Sequence, residues 1–184
     1  MKKLIVILLV IAVAVAMIAC SQPEEEVPDD NNGNGNETVD PDPQVETTEV
    51  TLYFMNKEYV MTGNEELEKT VKIEREVNVE DKPVEEVIME ELKKPDDEEL
   101  YSALEDIEVI SVEIDESIAY VNMSGEKLFG GTLEESSILT QVVMTLTELD
   151  EVDSVQFLVD GSKRETLMGH YSIEEPITRE DISN

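Results

Sequence analysis

Tryptophan is absent from this chain, and cysteine and histidine occur once each, as Cys20 and His170. Each scarcity removes a class of chemistry. A lone cysteine forms no internal disulfide and no multi-cysteine zinc site. A histidine metal site needs two or three imidazoles, and His170 has no second histidine to join it. A Ser-His-acid site needs its nucleophile on a strained, exposed turn such as G-x-S-x-G. No such stretch occurs: Ser124 lies in "NMSGE", and Ser162 follows Gly161 in what reads as a hairpin turn. His170 is therefore expected to be a structural or surface residue, with no catalytic residue, no metal site and no cofactor. Cations are scarce as well. Thirteen Lys and Arg stand against 45 Asp and Glu, for a net charge of −32. Nucleic-acid binding depends on cations that neutralise phosphates, so this charge excludes a nucleic-acid partner. It equally disfavours anionic lipid surfaces.

What is present begins with a leader. In "MKKLIVILLVIAVAVAMIAC", Lys2 and Lys3 precede an apolar run over residues 4–19, and a small residue, Ala19, precedes Cys20. This is the layout of a secretory signal. The alternative is a transmembrane anchor, but the run falls short of the roughly 20 residues that span a bilayer. "MIAC" resembles a bacterial lipobox, although Ile18 is bulkier than the residue usual there. The expectation is a signal peptide over 1–19, lipid attached to Cys20 and an extracytoplasmic protein held to the cell membrane. Lipidation would also withdraw the only thiol from nucleophilic work.

Residues 21–49 carry ten carboxylates, no Lys or Arg, and only three valines as apolar residues. Such a segment cannot bury enough surface to offset the entropy of ordering it. Residues 20–49 are thus expected to form the lipidated cysteine and a disordered acidic linker. Asp30, Asn32, Asn34 and Gly35 match the first half of a calcium loop, but Pro41 stands where the closing glutamate belongs.

Periodicity changes from residue 50. Val50, Leu52 and Phe54 alternate, as do Val71, Ile73, Val77 and Val79, and period two marks half-buried strands. In residues 81–95 Val84, Val87, Ile88 and Leu92 fall at helical spacing between Pro83 and Pro95. Residues 107–114 and 118–123 read as strands joined by a short turn at 115–117. Thr132 and Glu135 have capping-box spacing, and Ile138, Val142, Leu146 and Leu149 make an apolar stripe widened by Leu139 and Val143. Val155, Phe157 and Val159 alternate in another strand, with a short one expected near 166–168. The order β-β-α-β-β-α-β predicts an α+β, two-layer domain: a mainly antiparallel or mixed sheet with two amphipathic helices packed on one face.

Arg75 interrupts the apolar face of the second strand. Its planar donor fork suits an anion contact. A structural ion pair with a carboxylate of a neighbouring element is the favoured reading. Carboxylates are so numerous that a glycosidase-like pair, which needs a defined separation and split pKa values, is not singled out. The run Asp96, Asp97, Glu98 and Glu99 is expected to be a solvated loop rather than a cation site.

The ordered set "VTLYFMN", "EREV", "AYVNMSGE", "ILTQVVMTLTEL", "VDSVQFLVDG" and "GHYSIEEP" resembles the GerMN domain of sporulation and spore germination proteins. The resemblance places that domain at 50–178, with a polar tail over 179–184. It implies a fold similar to ring-building domains of envelope machines, a role in sporulation or germination, and no established enzymatic activity. Members often carry glycine where Ser117 stands. The implied protein is a lipid-anchored, non-enzymatic envelope component that binds or scaffolds an envelope protein partner or the cell wall. An extracellular module binding small ligands, cations or wall polymer is the alternative, and a hydrolase stands behind both.

Overall fold

The computed structural model describes residues 46–183. The chain enters through β1 (Thr47–Asn56), whose Val50, Leu52 and Phe54 are buried. Asn56 accepts from the N–H groups of Glu58 and Tyr59, and so caps α1 (Lys57–Thr62), which stops at Gly63 in the left-handed region. β2 (Thr70–Asn78) returns antiparallel, with Thr47 opposite Asn78 and Phe54 opposite Val71. This register puts Val71, Ile73, Arg75 and Val77 on the face that carries the buried residues of β1.

After Pro83 come α2 (Val84–Glu91) and the two-residue β3 (Leu100–Tyr101), which pairs only with the last residues of β1. β4 (Val109–Asp115) and β5 (Ile118–Met123) form a hairpin. Glu116 and Ser117 both have positive φ, 48° and 64°. The turn is thus of the primed kind that matches strand twist, although neither residue is glycine. α3 (Thr132–Leu146) crosses over to β6 (Ser154–Val159), which lies parallel to β5. β7 (Ile177–Thr178) and the single turn α4 (Arg179–Ile182) close the domain.

The fold is α+β, as expected. Its strands are divided between a three-stranded sheet, β2-β1-β3, and a mixed four-stranded sheet, β4-β5-β6-β7. α2 touches β1 and β4, and α3 touches β1 and β6, so both helices contribute to one apolar core shared by the two sheets.

Several expectations are corrected. β1 begins at Thr47, inside the segment that composition assigned to the linker. Thr132 and Glu135 form no capping box. Gly131 is the N-cap without a side-chain bond, and the Glu135 carboxylate turns to another loop. No strand forms at 166–168, where Thr166 makes only an isolated bridge with Ser172. The N–H groups of Leu167 and Met168 are drawn to Glu135 instead. Residues 179–182, within the segment read as a polar tail, form the single turn α4. Thr178 and Asp181 form a capping box that starts α4.

Candidate functional site

Three polar clusters and a groove stand out among the described residues. Arg75 is the first cluster. Its side chain is 16% exposed, with Nη1 2.8 Å from Glu91 Oε2 and Nη2 2.9 Å from Asp96 Oδ2. The guanidinium also lies 5.8 Å from the centroid of the Phe54 ring. Both prongs of the donor fork face carboxylates of the chain itself. Burial alone would push the Glu91 carboxyl up; hydrogen bonds from Lys94 and Arg75, with their charges, outweigh it and hold it below the ordinary range. Asp96 is thereby tied to Arg75, and Asp97 accepts from the N–H of Glu99.

Glu135 is the second cluster, which sequence reading missed. It is fully buried on the first turn of α3. Oε1 accepts from Leu167 N–H at 3.0 Å and Met168 N–H at 2.9 Å. Oε2 lies 2.8 Å from both the N–H and the Nδ1 of His170. A carboxylate has no proton to give, so Nδ1 carries the hydrogen. Burial pushes this carboxyl up, while bonds from Met168, from the ring and backbone of His170 and from Tyr171 more than reverse it and leave it lowered. His170 thus fastens the 167–170 loop to the start of α3.

Arg179 is the third. Its Nη2 reaches Met144 O and Glu148 Oε1, both at 2.6 Å, and Nε reaches Thr147 Oγ1 at 3.1 Å. Its cation lies 5.5 Å from the centroid of the Tyr53 ring, whose hydroxyl also donates to Glu148. A cation at a helix C-terminus satisfies carbonyls that lack intrahelical partners. The capping-box spacing of Thr178 and Asp181 was the available signal that this segment is ordered.

The groove lies beside the N-terminal end of α3. It has a volume of about 420 Å³ and includes Tyr101, Ile107, Phe129, Glu134 and Met168 in its walls. The Tyr101 hydroxyl donates to Glu134, 2.9 Å from Oε2. Burial first, then the bond and charge of Glu134, push the Tyr101 phenol up to about 12, so it remains a donor at neutral pH. Gly130 lets the loop approach closely: a Cβ there would lie 2.9 Å from Glu134 Cβ and 3.1 Å from Met168 Sδ. Glu135 sets the wall from behind, because it fixes the backbone of Met168.

Phe129 stands 76% exposed on the groove. Leu133 and Tyr171 are exposed at the same end of α3, the first in its opening turn and the second beside His170. Large apolar side chains open to solvent in one neighbourhood mark a surface suited to an interaction. The walls offer apolar contact and a few fixed polar groups, which is the chemistry of binding.

Among the described residues no group of three or more His, Cys, Asp or Glu side chains is placed to hold a metal ion. Among them, too, no helix is long and apolar enough to cross a membrane. Cys20 and the half calcium motif lie outside the described residues.

A family profile described as Germane, sporulation and spore germination, matches residues 51–165. Among solved structures, the tandem GerMN domains of the sporulation protein GerM from Bacillus subtilis are similar at 22% identity and a TM-score of 0.58. That likeness covers 78% of this chain and 49% of the other, so the chain spans about half the length of the tandem structure. The first GerMN domain of the same protein is similar at 19% identity and a TM-score of 0.55, covering 73% of this chain and 99% of that one. At these identities the likeness is one of fold. No curated protein matches. The profile spans well over half of the chain and lies within the folded region, and the chain belongs to the Germane family of sporulation and spore germination domains.

Proposed function

We propose that the protein is a lipid-anchored, non-enzymatic component of the cell envelope. Its domain docks another envelope component, in sporulation or spore germination, through the Phe129 face. The carrying observation is Phe129 itself, 76% exposed on a groove of about 420 Å³. A phenyl ring left in water has an apolar area whose burial against a partner stabilises the complex, on the order of 2 kcal/mol. Family membership supports the setting, and the apolar run ending at Cys20 supports the anchor.

Two variants test the two halves. Cys20→Ala is expected to remain unprocessed or to leave the membrane fraction, because stable attachment requires two lipid signals or more. Normal processing with unchanged membrane partition refutes the anchor. Phe129→Asp is expected to fold normally and to fail to restore sporulation or germination in a strain deleted for the gene, at equal protein level. Full restoration refutes the docking face. The same groove falls in the volume range of small-ligand sites, which is the one observation favouring a small-molecule binder. Saturable binding of a muropeptide or other small envelope metabolite, lost in Phe129→Asp, would support that second reading.

A further inference from the structure

On the side of β1 away from β2, only the last two residues, Met55 and Asn56, have a strand partner, β3. Asn56 N–H bonds Lys69 O and Glu46 O accepts from Val79 N–H, so even-numbered residues of β1 turn their backbone groups toward β2. Odd-numbered residues turn theirs the other way. Lys57 N–H bonds Glu99 O, Tyr53 N–H donates to Thr145 Oγ1 at 3.0 Å, and Tyr53 O accepts from Gln141 Nε2 at 3.4 Å. β3 supplies partners only opposite Met55 and Asn56. Glu49 and Thr51 share the parity of Tyr53, and no described strand pairs with them on that side.

The same side opens on a second groove, of about 540 Å³, between β1 and the C-terminal end of α3. On its core side lie Val84, Ile88 and Leu149. On its rim stand Glu46, Glu49, Asp150 and Glu151. Glu148 is also there but is occupied by Arg179 and Tyr53.

The geometry points to a strand-addition site: an extended cationic segment of a partner protein pairs with the open side of β1 at residues 47–51. Main-chain bonds to Glu49 and Thr51 supply the pairing, and alternate side chains supply selectivity. One face of the added strand meets the partly buried Val84 and Leu149, which calls for apolar residues at every second position. The other positions meet the carboxylate rim, which calls for Lys or Arg. Charge decides among occupants. A second copy would bring its own Glu49 against this one, and like charges across a strand pair are destabilising. Residues 21–45 of this chain carry eight carboxylates and no Lys or Arg, so the rim repels them. The site is distinct from the Phe129 face and stands without it.

The test uses the full chain in detergent and a peptide of about eight residues alternating lysine and valine. Amide hydrogen exchange at Glu49 and Thr51 is expected to slow by about tenfold or more on saturation. A peptide N-methylated on its pairing edge is expected not to bind, because it cannot donate to the strand. Thr51→Pro removes an N–H that faces the groove, a position where an edge strand tolerates proline. It is expected to weaken the peptide by about tenfold, the loss of about 1.4 kcal/mol, while Phe129→Asp leaves affinity unchanged. If Thr51→Pro fails to fold, the N-methylated peptide carries the test on the native chain. No binding, equal binding of the N-methylated peptide, or protection at the outer edge of β2 instead of β1 would each overturn the proposal. Protection of Glu49 and Thr51 before any peptide is added would overturn it too, by assigning the edge to the chain's own N-terminal segment or, where dependent on concentration, to a second copy.

Discussion

Glu135 places a fully buried carboxylate among several donors, including the backbone N–H groups of Leu167, Met168 and His170 and the imidazole N–H of His170. Its removal leaves those groups unsatisfied in a largely buried site. Glu135→Ala is therefore expected to destabilise the protein by about 3–5 kcal/mol, read by urea unfolding, with faster amide exchange at Leu167 and Met168. The pH dependence follows from the lowered carboxyl. A group with a depressed folded pKa contributes stability that is fully present above its unfolded value, about 4.3, and is lost as pH falls through the folded value. Unfolding free energy measured across that acid window should lose less in Glu135→Ala than in the native chain; parallel curves would contradict the assignment. Arg75 behaves differently because its partners are wetter. Its own side chain is 16% exposed, but Glu91 is 21% and Asp96 60% exposed. Arg75→Met is expected to cost about 1–2 kcal/mol, between an exposed pair and a buried one. Unchanged stability together with lost binding of an anion would identify an anion site. The position of Arg75 on an apolar face was legible in the sequence, but its partners, 16 and 21 residues further on, were not. Glu135 was misread as a cap for a related reason. Local spacing suggested a partner three residues away, whereas the donors lie 32 to 35 residues away and win because a buried carboxylate takes every N–H within reach.

At the scale of elements, alternation and helical spacing located what buries apolar surface. Val50, Leu52 and Phe54 in β1, and Ile138, Val142 and Leu146 in α3, are all in the core. Elements held by polar or backbone contacts escaped such reading. β3 and β7 are two residues each, too short for a period. α4 is one turn, docked through Arg179 rather than an apolar stripe. The division into two sheets was equally hidden, because alternation reports which face is buried and not which neighbour is bonded. The β4–β5 turn invites a direct experiment. Ser117 at φ 64° holds a left-handed conformation that costs a non-glycine residue about 1–2 kcal/mol. Glycine relieves that cost and gives back part of it as unfolded-state entropy. Ser117→Gly is expected to stabilise the protein by about 0.5–1 kcal/mol, with a higher denaturant midpoint at unchanged slope. A lower midpoint would show that the serine side chain contributes more than its backbone costs.

For the molecule as a whole, charge dominates. Residues 50–184 hold 35 carboxylates and eleven Lys or Arg, a net of −24. Repulsion at that density opposes the compact state, and salt screens it as the Debye length falls from about 10 Å at 0.1 M to about 3 Å at 1 M. The melting temperature is expected to rise between about 0.05 M and about 1 M NaCl, concentrations that straddle this range. A flat or falling value would leave solubility as the purpose of the acidity. The point of entry into the fold has a mechanical consequence. The chain enters the domain at β1, and β1 and β2 share nine facing pairs, the longest ladder among the described residues. Tension delivered from the N-terminal side is met first by this ladder. Sliding β1 by one residue would carry Val50, Leu52 and Phe54 from the core to the opposite face. The strand therefore cannot creep under load: it holds its register until the ladder fails as a unit.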